Sequence, residues 1–206
     1  MQYSILMTRA EGQDSPSSPD PDLPLVTAMV RGDTAALEEL YQRWGPRLLA
    51  YLHARLGDGG LAEEVLQDVM LAAWRSAARF RGAGRMVAWL LAIARNRAIN
   101  AYHRQVRPEA AVETSETFDA EWLERTAFGQ PTPPGEADPQ DPALYTALLG
   151  LPAVQRETLE LIFFHGLSQE ETAQVLGVLA GTVKSRLHRA KASLRDWLQK
   201  EDEAHG

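Results

Sequence analysis

From Asp33 onward the chain repeats apolar side chains at helical spacing. Leu37, Leu40, Tyr41, Trp44, Leu48 and Leu52 follow one another mostly at steps of three and four residues, which sets them along one stripe of an α-helix. The run GDGG at 57–60 breaks the pattern, because glycine is a poor residue for a helix interior. A second helix is expected from Leu61 to about Phe80, with Val65, Leu66, Val69, Trp74 and Ala77 turned inward. RGAG at 81–84 interrupts again, and a third helix carries Trp89, Leu90, Ile93, Ala94 and Ile99. No run alternates with the period of two that a half-buried strand shows. The pattern predicts an all-α body over residues 29–107.

Helical spacing returns over residues 143–200. ALYTALLGLP is followed by PAVQRETLELIFFHG, in which Pro152 suits a helix start. The next stretch is LSQEETAQVLGVLAGTVKSRLHRAKASLR, Leu167 to Arg195. Ser168 and Glu171 have the spacing of a capping box, and Gly177 suits a left-handed helix end. A further helix is expected from about Gly181, with Val183, Leu187, Ala190 and Leu194 buried. Its other face shows Lys184, Ser185, Arg186, His188, Arg189 and Lys191. Counted from Gln169, a small residue at position five (Ala173), glycine at nine and valine at fifteen fit a helix-turn-helix. A plain helical hairpin with a solvated basic face fits the apolar spacing too. The joint pattern of cap, glycine, small residue and basic second helix favours duplex DNA, with the start of that helix nearest the base edges.

Charge sharpens this division. The whole chain carries −7, but residues 31–107 hold 12 arginines against 7 acids, and residues 143–200 hold 7 bases against 5 acids. Residues 108–142 hold Arg125 against 9 acids and include PTPPG and PQDP, which do not continue a helix. They read as a flexible acidic linker. Residues 1–28, with EGQDSPSSPDPDLP at 11–24, read as a disordered tail, and 201–206 as a second tail. Two basic bodies joined by an acidic connector imply a polyanionic partner.

The first body has no acid between Asp68 and Glu109. That interval holds Arg75, Arg79, Arg81, Arg85, Arg95, Arg97, Arg104 and Arg107, interleaved with Trp74, Trp89, Tyr102, His103, Asn96 and Asn100. Cations beside aromatic and amide groups suit single-stranded or melted nucleic acid, in which bases stack while arginines hold phosphates. Trp74 and Trp89 also suit a core. Upstream, Glu63, Glu64, Gln67 and Asp68 lie on an otherwise apolar helix, either as a solvated face or as a patch for a basic protein.

The chain has no cysteine, which excludes disulfides, thiolate zinc sites and a cysteine nucleophile. The five histidines show no metal spacing, and no phosphate-cradling glycine loop is present. No cofactor, metal or catalytic activity is expected. There is neither a leader pattern nor an 18-residue apolar run, so a soluble cytosolic chain is expected, with no membrane insertion.

Together these motifs resemble the extracytoplasmic-function (ECF, group IV) RNA polymerase sigma factors of the sigma-70 family, with only regions 2 and 4 present. DTAALEELYQRWGPRLLAYL resembles region 2.1 and AEEVLQDVMLAAWR region 2.2. FRGAGRMVAWLLAIARNRAINAYHR resembles regions 2.3 and 2.4, and LPAVQRETLELIFFHGLSQEETAQVLGVLAGTVKSRLHRAKASL resembles region 4. The resemblance implies an alternative sigma factor that binds core RNA polymerase, through its clamp helices and flap, and directs initiation at promoter DNA. It implies polymerase docking by Glu64, Gln67, Asp68, Leu71 and Trp74. It implies −10 recognition and melting by Arg81, Arg85, Met86, Trp89, Arg95, Asn96, Arg97, Asn100 and Arg104. For −35 recognition it implies Ala180, Gly181, Thr182, Lys184, Ser185, Arg186, His188 and Arg189. An anti-sigma factor is a further implied partner.

Two departures stand out: Leu179 occupies a turn position where the family usually has proline. Arg85-Met86-Val87-Ala88 replaces the family's Ser-Phe-Arg-Thr run, removing an aromatic and a hydroxyl from the melting loop. Two other classes remain open on the residues alone. A stand-alone helix-turn-helix regulator leaves the Arg75–Arg107 body idle, and a sigma-like decoy or interaction module leaves both basic faces without a role.

Overall fold

A computed structural model describes residues 20–80, 82, 84–106 and 142–205. These are helices and connecting turns with no strand, arranged as two separate compact units on either side of the segment expected as a linker. That segment lies outside the described residues except for its last residue, Pro142, which begins a helix.

In the first unit, α1 spans Leu23–Val30, with Pro24 in its first turn, and buries Leu25, Val26 and Met29. This corrects the expected tail. The apolar run LPLVTAMV follows directly on Pro- and Asp-rich sequence, and that composition hides a helix with an apolar face of its own. Helix α2 spans Thr34–Leu56. Asp33 caps it by accepting from the Ala35 N–H at 3.0 Å, and Gly57 closes it at φ 68°. Its buried residues include Ala36, Leu40, Leu48, Tyr51 and Leu52. Tyr41, expected inward, is 49% exposed, and Leu37 and Trp44 are half-buried. A core shared among several helices, α1 among them, turns the buried stripe away from these positions.

Helix α3, Gly59–Ser76, starts two residues before the expected position because Asp58 caps the Leu61 N–H at 2.9 Å. It buries Val65, Leu66 and Val69 as expected, while Trp74 is half-buried. A 3₁₀ turn, Ala77–Arg79, follows and tucks in Ala77. Helix α4, Met86–Val106, packs against both α2 and α3. It therefore has two buried sides: Met86, Leu90, Leu91, Ala94, Ala98 and Ile99 are all 0–1% exposed.

Two carboxylates ahead of α1 tie these helices together. Asp22, 1% exposed, accepts from Arg43 and, at 2.9 Å, from the Trp44 indole N–H of α2. Asp20 accepts from the Asp22 amide at 2.9 Å through one oxygen and from the Met86 amide, the first of α4, through the other.

The second unit contains α5 (Pro142–Leu149), α6 (Ala153–Phe163), α7 (Gln169–Leu176) and α8 (Ala180–His205). The Ser168 hydroxyl accepts from the Glu171 amide at 3.1 Å, and the Glu171 carboxylate accepts from the Ser168 amide at 2.9 Å. Both halves of the capping box are therefore made. Gly177 closes α7 at φ 67°, a conformation that penalises any residue with a Cβ. Helix α8 packs against α5, α6 and α7 through Val183, Leu187, Ala190 and Leu194, which are 0–9% exposed. It continues through His205, beyond the residue 200 at which a tail was expected.

Candidate nucleic-acid interface

The α7–turn–α8 unit follows from its residues. The capping box fixes where α7 starts and Gly177 fixes where it stops. The Leu179 carbonyl then accepts from the Thr182 amide at 2.9 Å and the Val183 amide at 3.3 Å to open α8. With α8 held by its single apolar stripe, everything off that stripe faces out. Ala180, Gly181, Lys184, Ser185, His188 and Arg189 are exposed, and Thr182 and Arg186 are half-buried. All eight expected −35 positions thus lie on the accessible side of one helix. The Ser185 hydroxyl donates to the Gly181 carbonyl at 2.9 Å, and the Arg189 Nε–H donates to the Ser185 carbonyl at 3.3 Å. Leu179, at the turn, is 79% exposed and leads directly into this face.

The expected −10 set divides. Arg85, Asn96, Arg97 and Arg104 are exposed, and Trp89 and Asn100 are half-buried. Trp89 packs against Phe80 with ring centroids 5.1 Å apart and planes tilted by 44°, so one part of the indole is core and the remainder reaches solvent. Two members are corrected. Met86 is 0% and Arg95 4% exposed, which makes both interior side chains of the helix packed on two sides. Val87 and Ala88 are 3% exposed, so of the four residues that depart from the family run only Arg85 faces out. Arg81 lies outside the described residues. His103, counted in the basic interval, is also buried at 5%.

The basic surface near Arg85 includes a residue the motif reading missed. Arg47 of α2 stacks its guanidinium over Trp44 at 5.7 Å from the ring centroid. Burial, and then the neighbouring Arg85 charge, lower its pKa from the ordinary value. Arg47 lay on what the periodicity marked as an ordinary helix, and only tertiary packing brings it to α4.

On α3, Glu64 and Gln67 are exposed, Asp68 and Trp74 half-buried, and Leu71 48% exposed. Glu64, Gln67, Asp68 and Leu71 follow steps of three, one and three, which gathers them on one face. An apolar side chain beside acids is a surface suited to a basic protein partner. No helix among the described residues is long and apolar enough to cross a membrane.

Comparison with known proteins meets this geometry at both units. The family model for sigma-70 region 2 matches residues 40–107, and that for sigma-70 region 4 matches residues 142–194. The chain is 34% identical to the ECF RNA polymerase sigma factor RpoE of Cereibacter sphaeroides over 169 residues, covering 79% of this chain and 86% of that one. It is 34% identical to the ECF sigma factor SigM of Mycobacterium tuberculosis over 176 residues, covering 84% of this chain and 82% of the relative. Among solved structures it is similar to CnrH in complex with the cytosolic domain of CnrY, with a TM-score of 0.57 and 26% identity, covering 88% of this chain and 99% of the other. It is also similar to RpoE of Bartonella quintana in complex with the anti-sigma factor NepR, with a TM-score of 0.53 and 26% identity, covering 79% and 96% of the two chains.

Proposed function

The chain belongs to the ECF RNA polymerase sigma factors of the sigma-70 family, and from that premise we propose how its two units share promoter recognition. It binds core RNA polymerase and directs it to promoters. In the second unit, the first three turns of α8 enter the major groove of the −35 element, with Lys184, Arg186 and Arg189 on phosphates or guanine edges and Ser185 and His188 within reach of bases. In the first unit, Arg85, Arg97 and Arg104 hold the backbone of the melted −10 strand while Asn96, Asn100 and the solvent side of Trp89 meet unstacked bases. Glu64, Gln67, Asp68, Leu71 and Trp74 dock on the polymerase clamp helices. Catalysis belongs to the polymerase, and the chain acts in the cytoplasm, where the polymerase works.

The observation that carries this division is the contrast on α8: four buried apolar positions on one side, eight accessible ones on the other. The acidic segment 108–142 links the units. Its 35 residues reach roughly 120 Å when extended, enough for two promoter boxes roughly 60 Å apart along B-DNA. Both of these structures are complexes, with the cytosolic domain of CnrY in one case and the anti-sigma factor NepR in the other. An anti-sigma factor is the corresponding partner proposed for this chain.

The test mixes the purified protein with core RNA polymerase from a related bacterium and sequences the 5′ ends of transcripts from fragmented genomic DNA. Discrete new starts sharing two upstream boxes support the reading. Core binding without new starts contradicts it in favour of a decoy, and duplex binding without core binding contradicts it in favour of a stand-alone regulator.

A further inference from the structure

Asp20 lies ahead of every segment that the motif reading assigned to DNA or polymerase, yet both of its carboxylate oxygens are engaged inside the first unit. One accepts from the Asp22 amide at 2.9 Å, which fixes the approach to α1. The other accepts from the Met86 amide. Met86 is the first residue of α4, and its N–H is one of the amides that a helix start leaves without an intrahelical partner. The Arg85 carbonyl already accepts from the Ala88 and Trp89 amides at 3.0 and 3.4 Å, so Asp20 supplies from 66 residues away the side-chain cap that the local sequence lacks.

The consequence falls on the residues that face DNA. Arg85 immediately precedes the capped amide and Trp89 lies one turn beyond it, so the cap sits between the two. A cap that fixes the first turn fixes the direction in which both side chains leave the helix. An acid here is otherwise out of place, because a phosphate strand is expected alongside. Asp22 explains how the acid stays put. Buried against Arg43 and Trp44, it ties the segment to α2, leaving Asp20 a fixed distance of two residues away.

We propose that Asp20 is a positioning residue for promoter opening, which orients Arg85 and Trp89 toward the melted −10 strand by capping α4 from the N-terminal segment. The inference rests on the assignment of the −10 face to α4. Supporting groups that lock contact residues in place govern how well a site performs even though they touch no ligand.

The experiment measures permanganate reactivity of −10 thymines in open complexes formed by core polymerase with the full-length chain, alongside core affinity and thermal unfolding. Asp20→Ala is expected to lower opening on duplex promoters roughly five-fold, the scale of a lost helix cap, with core affinity little changed and the unfolding midpoint of the first unit lowered only as far as a lost cap requires. Asp20→Asn keeps one accepting oxygen for the two N–H donors and is expected to recover opening only in part, between the Ala variant and wild type. Opening by Asp20→Ala at the wild-type level or above overturns the proposal. A loss that core affinity accounts for, or that a first-unit variant of equally lowered midpoint reproduces, overturns it too, as does an Asn variant no better than the Ala one. An Asn96→Ala, Arg97→Ala double variant separates the premise. Loss there with none at Asp20 overturns the Asp20 role alone, while no loss there overturns the −10 face and the Asp20 role with it.

Discussion

The two units place basic residues on helices in opposite ways. Helix α8 has one contact side, so its cations fall outside automatically, and each expected DNA residue is accessible. Helix α4 packs against both α2 and α3 and buries residues on two sides, Arg95 and His103 included. A cation on α8 is therefore informative by position alone. On α4 the same residue type either packs inside or faces solvent, and only the neighbouring helices decide. The contrast also suits the two tasks proposed. A recognition helix that enters a groove needs a free face along its length. A surface that holds separated bases needs a stiff platform with a few projecting groups, and a helix packed on two sides supplies it.

The largest expected effect tests the interior half of this contrast. Met86→Ala removes a side chain that is 0% exposed and should destabilise the first unit by about 2–5 kcal/mol, read as a lower midpoint in chemical denaturation. If Met86 instead held a base, the variant would unfold like wild type and lose only promoter opening. Next, Lys184→Ala with Arg189→Ala removes two exposed cations from α8. Initiation at −35-dependent promoters should fall roughly ten-fold or more, with the salt slope of DNA binding reduced by about one per lost phosphate contact. Core affinity should not change, and a full-strength transcript from this variant would remove α8 from the recognition role.

Smaller effects sharpen the boundaries of each unit. Ser168→Ala breaks half of the capping box that starts α7 and should cost about 1 kcal/mol, visible as a lower unfolding midpoint of the second unit and leaving the first unchanged. Asp68→Arg reverses a half-buried charge on the α3 face. It should weaken core polymerase binding roughly five-fold, mainly through a slower association rate that depends on salt. An unchanged dissociation constant would show that α3 is not the docking helix.

The same contrast explains what the sequence made legible. The capping box, Gly177 and the stripe Val183–Leu187–Ala190–Leu194 are local, each set by residues within a few positions, and the helix-turn-helix follows from them. The four-helix unit depends on contacts between distant residues. Tyr41 matched the apolar spacing of α2 and yet faces solvent, while Met86 and Arg95 matched a DNA-facing loop and helix and yet face inward. The most distant case is the Asp20 and Asp22 segment. Its Pro- and Asp-rich composition reads as a disordered tail, and nothing local signals that its carboxylates meet Trp44 and the Met86 amide. Arg47 is silent in the sequence for the same reason, since the like charge beside it, Arg85, comes from the segment just ahead of α4. An apolar eight-residue run after Pro-rich sequence, as in Leu23–Val30, is the one local clue that this segment folds.

The central claim is that α8 reads the −35 box and α4 the −10 strand as separate tasks. The most direct measurement crosses the Lys184→Ala, Arg189→Ala pair and the Asn96→Ala, Arg97→Ala pair with two promoter changes, a scrambled −35 box and a pre-melted −10 region, in run-off transcription with core polymerase. If the account holds, scrambling the −35 box shrinks the deficit of the α8 pair by the share that base contacts carry and leaves that of the α4 pair intact, since a base contact already lost cannot be lost twice. Equal deficits for both pairs on every template would contradict it.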